Sequence, residues 1–182
     1  LEWLRQCPYV VCCDGAANTY IRSGRMPEAI VGDGDSLLPD IKERYASLIH
    51  SEAEQETNDL SKAFRFCLSQ ERKRITIMGA TGKREDHTIG NVSLLADYME
   101  QAEVSMMTDY GIFVPIREDS MFESYIGQQI SVFNMNSTAL SAEGLAYPLS
   151  VFTNWWQGTL NEALARHFII RTEGKVLVFR VF

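Results

Sequence analysis

RITIMGATGKREDHTIGN, residues 74–91, is the stretch on which the reading of this chain turns. Its first five residues, Arg74-Ile75-Thr76-Ile77-Met78, alternate polar and apolar side chains with a β-branched bias and predict a strand. At Gly79 the alternation stops. A loop holding Gly82, Lys83, Arg84, Asp86 and His87 follows, and a helical pattern resumes near Thr88. Strand, glycine-bearing loop and helix together make an anion site, because glycines admit backbone N–H groups to phosphate oxygens and the helix N-terminus adds a favourable dipole. Lys83 and Arg84 supply charge there. The same layout also serves as an ordinary strand-to-helix turn, so it needs support from elsewhere in the chain.

Toward the N-terminus, two more polar clusters follow predicted strands. The apolar run YVVCC at 9–13 suits a strand buried on both faces of a parallel sheet. It ends in Asp14-Gly15, with a helix expected up to Gly24. AIVG at 29–32 reads as a second such strand and runs into Asp33-Gly34-Asp35-Ser36. Two carboxylates this close repel unless a cation lies near, and an oxygen-seeking divalent ion such as magnesium would remove that cost. A plain Asp/Gly/Ser turn is the alternative. Residues 39–48 read as a helix and Ile49 as the start of an edge segment. Asp59 then opens an amphipathic helix with Leu60, Ala63, Phe64, Cys67 and Leu68 on one face. One of Thr57, Asn58 and Asp59 is expected to cap it, and Asp59 can also act as a third metal-directed carboxylate.

After residue 88 a single helix is expected, with Ile89, Val92, Leu95, Ala96 and Met99 as its buried stripe, followed by strands at 103–108 and 110–116. Alternating strand and helix predicts an α/β domain over 1–115, with a Rossmann-like, mostly parallel sheet and flanking helices. Ligands of such sheets sit at the carboxyl ends of the strands, so the three polar clusters would converge on one edge. Beyond residue 115, short strands at 129–133, 139–142, 167–171 and 176–182 predict an all-β second domain over 116–182, an antiparallel β-sandwich or barrel. Residues 154–158 carry Trp155 and Trp156 in a loop that either covers core or offers an aromatic wall.

Composition narrows the partners. With 46% hydrophobic residues, 23% charged residues and a net charge of −7, the chain is an ordinary globular one. Its Lys/Arg runs are too short for a nucleic-acid backbone as main partner. No apolar run approaches a membrane span. Cys7, Cys12, Cys13 and Cys67 lack metal-type spacing, and the adjacent pair reads as core thiols, so a cytoplasmic setting is the expectation. Residues 1–7 read as the middle of an element, from which a missing N-terminal segment is expected.

The ordered set of motifs resembles the thiamine pyrophosphokinase (thiamine diphosphokinase) family. The residues that carry the likeness are Cys13-Asp14-Gly15 with Asn18, Gly32-Asp33-Gly34-Asp35-Ser36, Gln55 with Asp59-Leu60 and Lys62-Ala63, and Gly79 through Arg84, Asp86-His87 and Asn91. Gly144-Leu145, Pro148-Leu149 and Asn161-Glu162 make a weaker match. The resemblance implies an N-terminal ATP- and magnesium-binding domain, a C-terminal thiamine-binding and dimerisation domain, and a homodimer with active sites between subunits. It implies transfer of the diphosphoryl unit of ATP to the hydroxyl of thiamine, giving thiamine diphosphate and AMP. On this reading Asp33, Asp35 and Asp59 hold magnesium, with Asp35, Arg84 and Asp86 catalytic. Asp14, Asn18, Lys83, Arg84, His87 and Asn91 contact the nucleotide and its metal, and Gln55, Asn161 and Trp155 contact thiamine. Four positions depart from the family pattern: Ala16 and Lys83 replace glycines, Gly34 replaces an aromatic, and Leu160 stands where Ser is usual and cannot make a side-chain hydrogen bond. The competing readings are a magnesium-dependent phosphohydrolase with Asp33 as nucleophile and a non-catalytic thiamine- or nucleotide-binding module.

Overall fold

Strand pairing in the computed structural model, which describes residues 4, 6–52 and 56–182, separates two compact units, Leu1–Arg72 and Lys73–Phe182. In the first, β1 (Val11–Cys13), β2 (Ala29–Gly32) and β3 (Ile49–Ser51) form a parallel sheet with β2 in the middle. All four residues of β2 are buried, as a strand covered on both faces requires. Alternation along β2 sends its side chains to two different cores. Ile30 packs with Ala17 of α1 (Ala16–Arg22) and Ile41 of α2 (Pro39–Arg44). Ala29 and Val31 pack with Ala63 of α3 (Asp59–Ser69). Asn58 is the residue that caps α3, its Oδ1 accepting the Ser61 N–H at 2.9 Å.

The second unit contains a six-stranded mixed sheet and a three-stranded antiparallel one. The larger sheet is built from β4 (Arg74–Met78), β5 (Glu103–Met107), β6 (Gly111–Ile116), β8 (Gln129–Asn134), β10 (Asn161–Glu162) and β12 (Val176–Val181), in the order β10-β8-β12-β6-β5-β4. The smaller consists of β7 (Ser120–Glu123), β9 (Leu140–Glu143) and β11 (His167–Thr172), with β11 central. Both contribute to one core: Ile130, Val132, Val176 and Val178 come from the first, and Phe122, Leu140, Phe168 and Ile170 from the second. Phe122 and Phe168, opposite each other across β7 and β11, stack with centroids 5.1 Å apart.

The expected single parallel sheet, closed barrel and single helix need correction. The parallel strands do not form one Rossmann-like sheet. β4 and β5 pair in parallel, but β6 returns antiparallel, because Thr108, Asp109 and Tyr110 are too few for a parallel crossover. The hydroxyl oxygen of Thr108 closes that turn by accepting from the N–H groups of Tyr110 and Gly111. β6 then pairs along its whole length with β12, so residue 115 lies within a paired strand, and the compact units part at 72/73. The six-stranded sheet ends in β10 and β4, so there is no closed barrel. The helix expected after residue 88 is two segments, α4 (Glu85–Ser93) and α5 (Leu95–Tyr98). Leu95 is fully buried, but Ile89 is 59% exposed and does not join a buried stripe.

A close approach fixes the 3-10 turn Trp155–Gly158 against β8. A Cβ at position 158 would collide with the Val132 carbonyl and lie 3.1 Å from Phe152 Cδ2. Gly158→Ala is expected to destabilise the protein by about 1–3 kcal/mol, the usual cost of overpacking, measured as a lower urea midpoint; an unchanged midpoint would show that the turn is free to move off β8.

Candidate active site

The carboxyl ends of β1 and β2 are tied together by Asp14. Its side chain is 4% exposed, its Oδ2 accepts the Ser36 N–H at 3.0 Å, and its Oδ1 is buried without a hydrogen-bond partner. Asn18, one turn into α1, commits both ends of its amide to the same segment: Nδ2 donates to the Ser36 carbonyl at 2.8 Å and Oδ1 accepts the Leu38 N–H at 3.0 Å. The turn so held is Gly32-Asp33-Gly34-Asp35-Ser36. Gly32 is required here, because a Cβ would lie 2.8 Å from that of Asp14. Asp33 and Asp35 are both exposed, and Asp33 Oδ1 accepts the Asp35 N–H at 3.1 Å. This side-chain-to-backbone bond is typical of an Asp-led turn.

Asp59, at the start of α3, lies 3.4 Å from Lys62 Nζ, and the Lys62 side chain is only 4% exposed. An ammonium so nearly buried needs a carboxylate beside it. Lys62 received no role from the sequence reading, although the i, i+3 spacing from Asp59 places the two on one helix face. Among the described residues, no three His, Cys, Asp or Glu side chains stand close enough to hold a metal ion by themselves. Cys13, next to Asp14, is pushed up to about 12 by burial and then by the charge of Asp59, and burial pushes Cys12 up to about 11. Both remain thiols at neutral pH and are poor nucleophiles.

In the second unit, the loop after β4 leads into α4 through Gly79 and Gly82, both at positive φ with open space around them. Arg84 precedes the helix and grips Asp86 with two bonds, Nε to Oδ1 at 3.1 Å and Nη2 to Oδ2 at 2.6 Å. The Arg84 guanidinium holds the Asp86 carboxyl below its usual range, and the His87 N–H adds a bond to Oδ1 at 2.9 Å. Lys83, Arg84, Asp86 and His87 are all exposed. Asn91 lies one turn further along, and its Nδ2 donates to the Ala80 carbonyl at 2.8 Å, which ties the loop to the helix.

At the other end of this unit, a cavity of about 360 Å³ is lined by Tyr147, Phe152, Gln157, Leu160 and Asn161, among others. Asn161 is 5% exposed, and its amide clasps the backbone of Tyr147: Oδ1 accepts the Tyr147 N–H at 3.0 Å while Nδ2 donates to the Tyr147 carbonyl at 2.8 Å. Leu160 beside it is 77% exposed with φ +64. Trp155 meets Phe133 edge-on at 6.0 Å and is 44% exposed; Trp156 is 72% exposed. Gln55 lies outside the described residues.

Two family models match in sequence. "Thiamin pyrophosphokinase, catalytic domain" covers residues 2–107 and "Thiamin pyrophosphokinase, substrate-binding domain" covers residues 111–179. Thiamine pyrophosphokinase 1 of Oryza sativa subsp. japonica is 30% identical over 129 residues, covering 57% of this chain and 49% of that protein. Thiamin pyrophosphokinase 1 of Caenorhabditis elegans is 30% identical over 110 residues, covering 56% and 45%. The chain thus spans about half the length of the curated relatives it matches. Among solved structures, thiamine pyrophosphokinase from Bacillus subtilis superposes with a TM-score of 0.82 at 21% identity, covering 95% of this chain and 87% of that one. The enzyme from Candida albicans gives 0.81 at 20% identity, covering 98% and 82%. At these identities the structural likeness speaks for the fold. The two domain models, matched in order along nearly the whole chain, show that it belongs to the thiamin pyrophosphokinase family.

Proposed function

We propose that this chain is a thiamine diphosphokinase, moving the diphosphoryl unit of ATP to the hydroxyl of thiamine with release of AMP. The observation that carries the reading is the Asp33-Gly34-Asp35 turn, fastened to Asp14 and Asn18 at the carboxyl end of a parallel sheet, where ligands of such sheets bind. The residues fit magnesium. All the donors are hard carboxylate oxygens, and Asp14 Oδ1 is a buried acceptor without a partner. Magnesium is usually held by one or two carboxylates plus substrate phosphates, so a cage of three protein ligands is not needed. Asp33 and Asp35 would hold the ion, Asp14 fastens their turn, and Asp59 is the further carboxylate this reading assigns to it. When bound, the ion neutralises charge on the phosphates during transfer.

The remaining work falls to the protein's own side chains. Arg84 presents a planar fork already oriented by Asp86, suited to two oxygens of the transferred diphosphoryl unit. Lys83, His87 and the open Gly79 to Gly82 loop complete an anion-binding surface at the start of α4, and Asn91 keeps that loop in place. On the acceptor side, Asn161 and the cavity it supports take the thiamine, with Trp155 as a further contact. The exposed apolar side chains Tyr147, Trp156 and Leu160 support a partner surface, which this reading assigns to a second copy of the chain in a homodimer.

Product analysis tests the reaction: ATP, magnesium and thiamine together are expected to give AMP and thiamine diphosphate, whereas phosphate released without thiamine would point to a hydrolase. Asp35→Ala is expected to lower turnover at least a hundredfold, about 2.7 kcal/mol of barrier, with unchanged circular dichroism; near-normal turnover would remove Asp35 from the site. Asn161→Ala leaves the Tyr147 backbone groups unpaired, so it is expected to raise the thiamine KM and cost about 1–3 kcal/mol of stability. ATP affinity should hold, and its loss would place Asn161 at the nucleotide.

A further inference from the structure

The Asp33-Gly34-Asp35 turn is held from a second side by a residue outside the family motif. Lys42, on the exposed side of α2, reaches back eight residues and donates from Nζ to the Gly34 carbonyl at 3.0 Å. Gly34, with φ +77, lacks the side chain that would occupy this space: a Cβ there would meet Lys42 Nζ at 3.2 Å and Cε at 3.4 Å. The end of the lysine therefore fills the volume beside the peptide that joins the two aspartates. Both residues also line a cavity of about 470 Å³, together with Asp35, Leu37, Pro39 and Glu43. The absence of a side chain at position 34 and the reach of Lys42 are thus one structural arrangement.

We infer that Lys42 is a positioning residue that locks the peptide between Asp33 and Asp35, so that the two carboxylates are held in place before any ligand arrives. The inference rests on the metal role proposed for these aspartates, but its geometry does not. The ammonium bond fixes the Gly34 carbonyl on one flank, while Asp14 and Asn18 fix Ser36 and Leu38 on the other. Between the two anchors the Asp35 N–H donates to Asp33 Oδ1 at 3.1 Å, so the carboxylate orientation depends on both anchors. Lys42 also carries positive charge close to the same turn. If charge were its whole effect, removing it would tighten cation binding, because one repulsive partner is lost. If positioning dominates, removing it weakens cation binding. The two accounts predict opposite signs.

The test compares the wild-type chain with Lys42→Met, Lys42→Arg and Asp35→Asn. Amide hydrogen exchange is read at Asp35 and Ser36, and Mn2+ binding is followed by its electron paramagnetic resonance signal. In Lys42→Met, exchange at Asp35 is expected to quicken at least tenfold and Mn2+ binding to weaken at least fivefold, with the thermal midpoint little changed. Lys42→Arg, which keeps a donor, should recover part of both. Unchanged exchange overturns the inference, as does tighter Mn2+ binding in Lys42→Met. If wild type and Asp35→Asn bind Mn2+ equally, the metal assignment of the proposed function fails instead, while the exchange data still decide the role of Lys42.

Discussion

A single buried carboxylate closes the seam between the ends of β1 and β2. Asp14 sits at φ +32, a backbone state that non-glycine residues avoid, and is kept there by its N–H bond to the Val31 carbonyl at 2.9 Å and its side-chain bond to Ser36. Such local strain persists only where the surroundings over-determine it. Here they do so through Gly32, whose missing Cβ lets the two strand ends come close. The exposed aspartates that follow have their position because Asp14 and Asn18 hold the turn from within.

The second unit repeats the principle with a different residue. The left-handed Leu160 carries a steric cost of about 1–2 kcal/mol, and it lies next to Asn161, whose amide makes three bonds to the backbone of Tyr147 and Glu162. A buried polar side chain that satisfies buried backbone groups is worth keeping, since losing it exposes their full desolvation cost. The cavity beside Leu160 is thus shaped by a hydrogen-bond clasp more than by apolar packing. An asparagine can serve a ligand site in this way without contributing its own donor to the ligand.

Charge is arranged locally against an acidic whole. With a net charge of −7 the chain repels polyphosphate at long range. In the proposed function, binding comes from short-range groups such as Arg84, which Asp86 orients without burying. Because that pair is exposed, its value lies in geometry, and its contribution to stability is small. The buried Lys62 beside Asp59 is the opposite case, where removal from water makes the pairing necessary.

Much of this was legible in the residues. The apolar run at 29–32, the β-branched run at 74–78 and the Asp-Gly punctuation after each predicted strand identified the elements and the polar clusters, because these are local properties with a period of two or a turn chemistry. Local patterns could not say which strands would pair. The three-residue connection after β5 makes β6 antiparallel in a sheet expected to be mostly parallel, and β6 pairs with β12, far apart in sequence. Nor could residue type separate a side chain that meets ligand from one that holds the frame. Asn18 and Asn161 commit their amides to backbone partners twenty and fourteen positions away, and Lys42 commits its ammonium to one eight positions away. Those bonds form only once the chain has folded, because their donors and acceptors lie on different elements whose approach is set by the packing of the core.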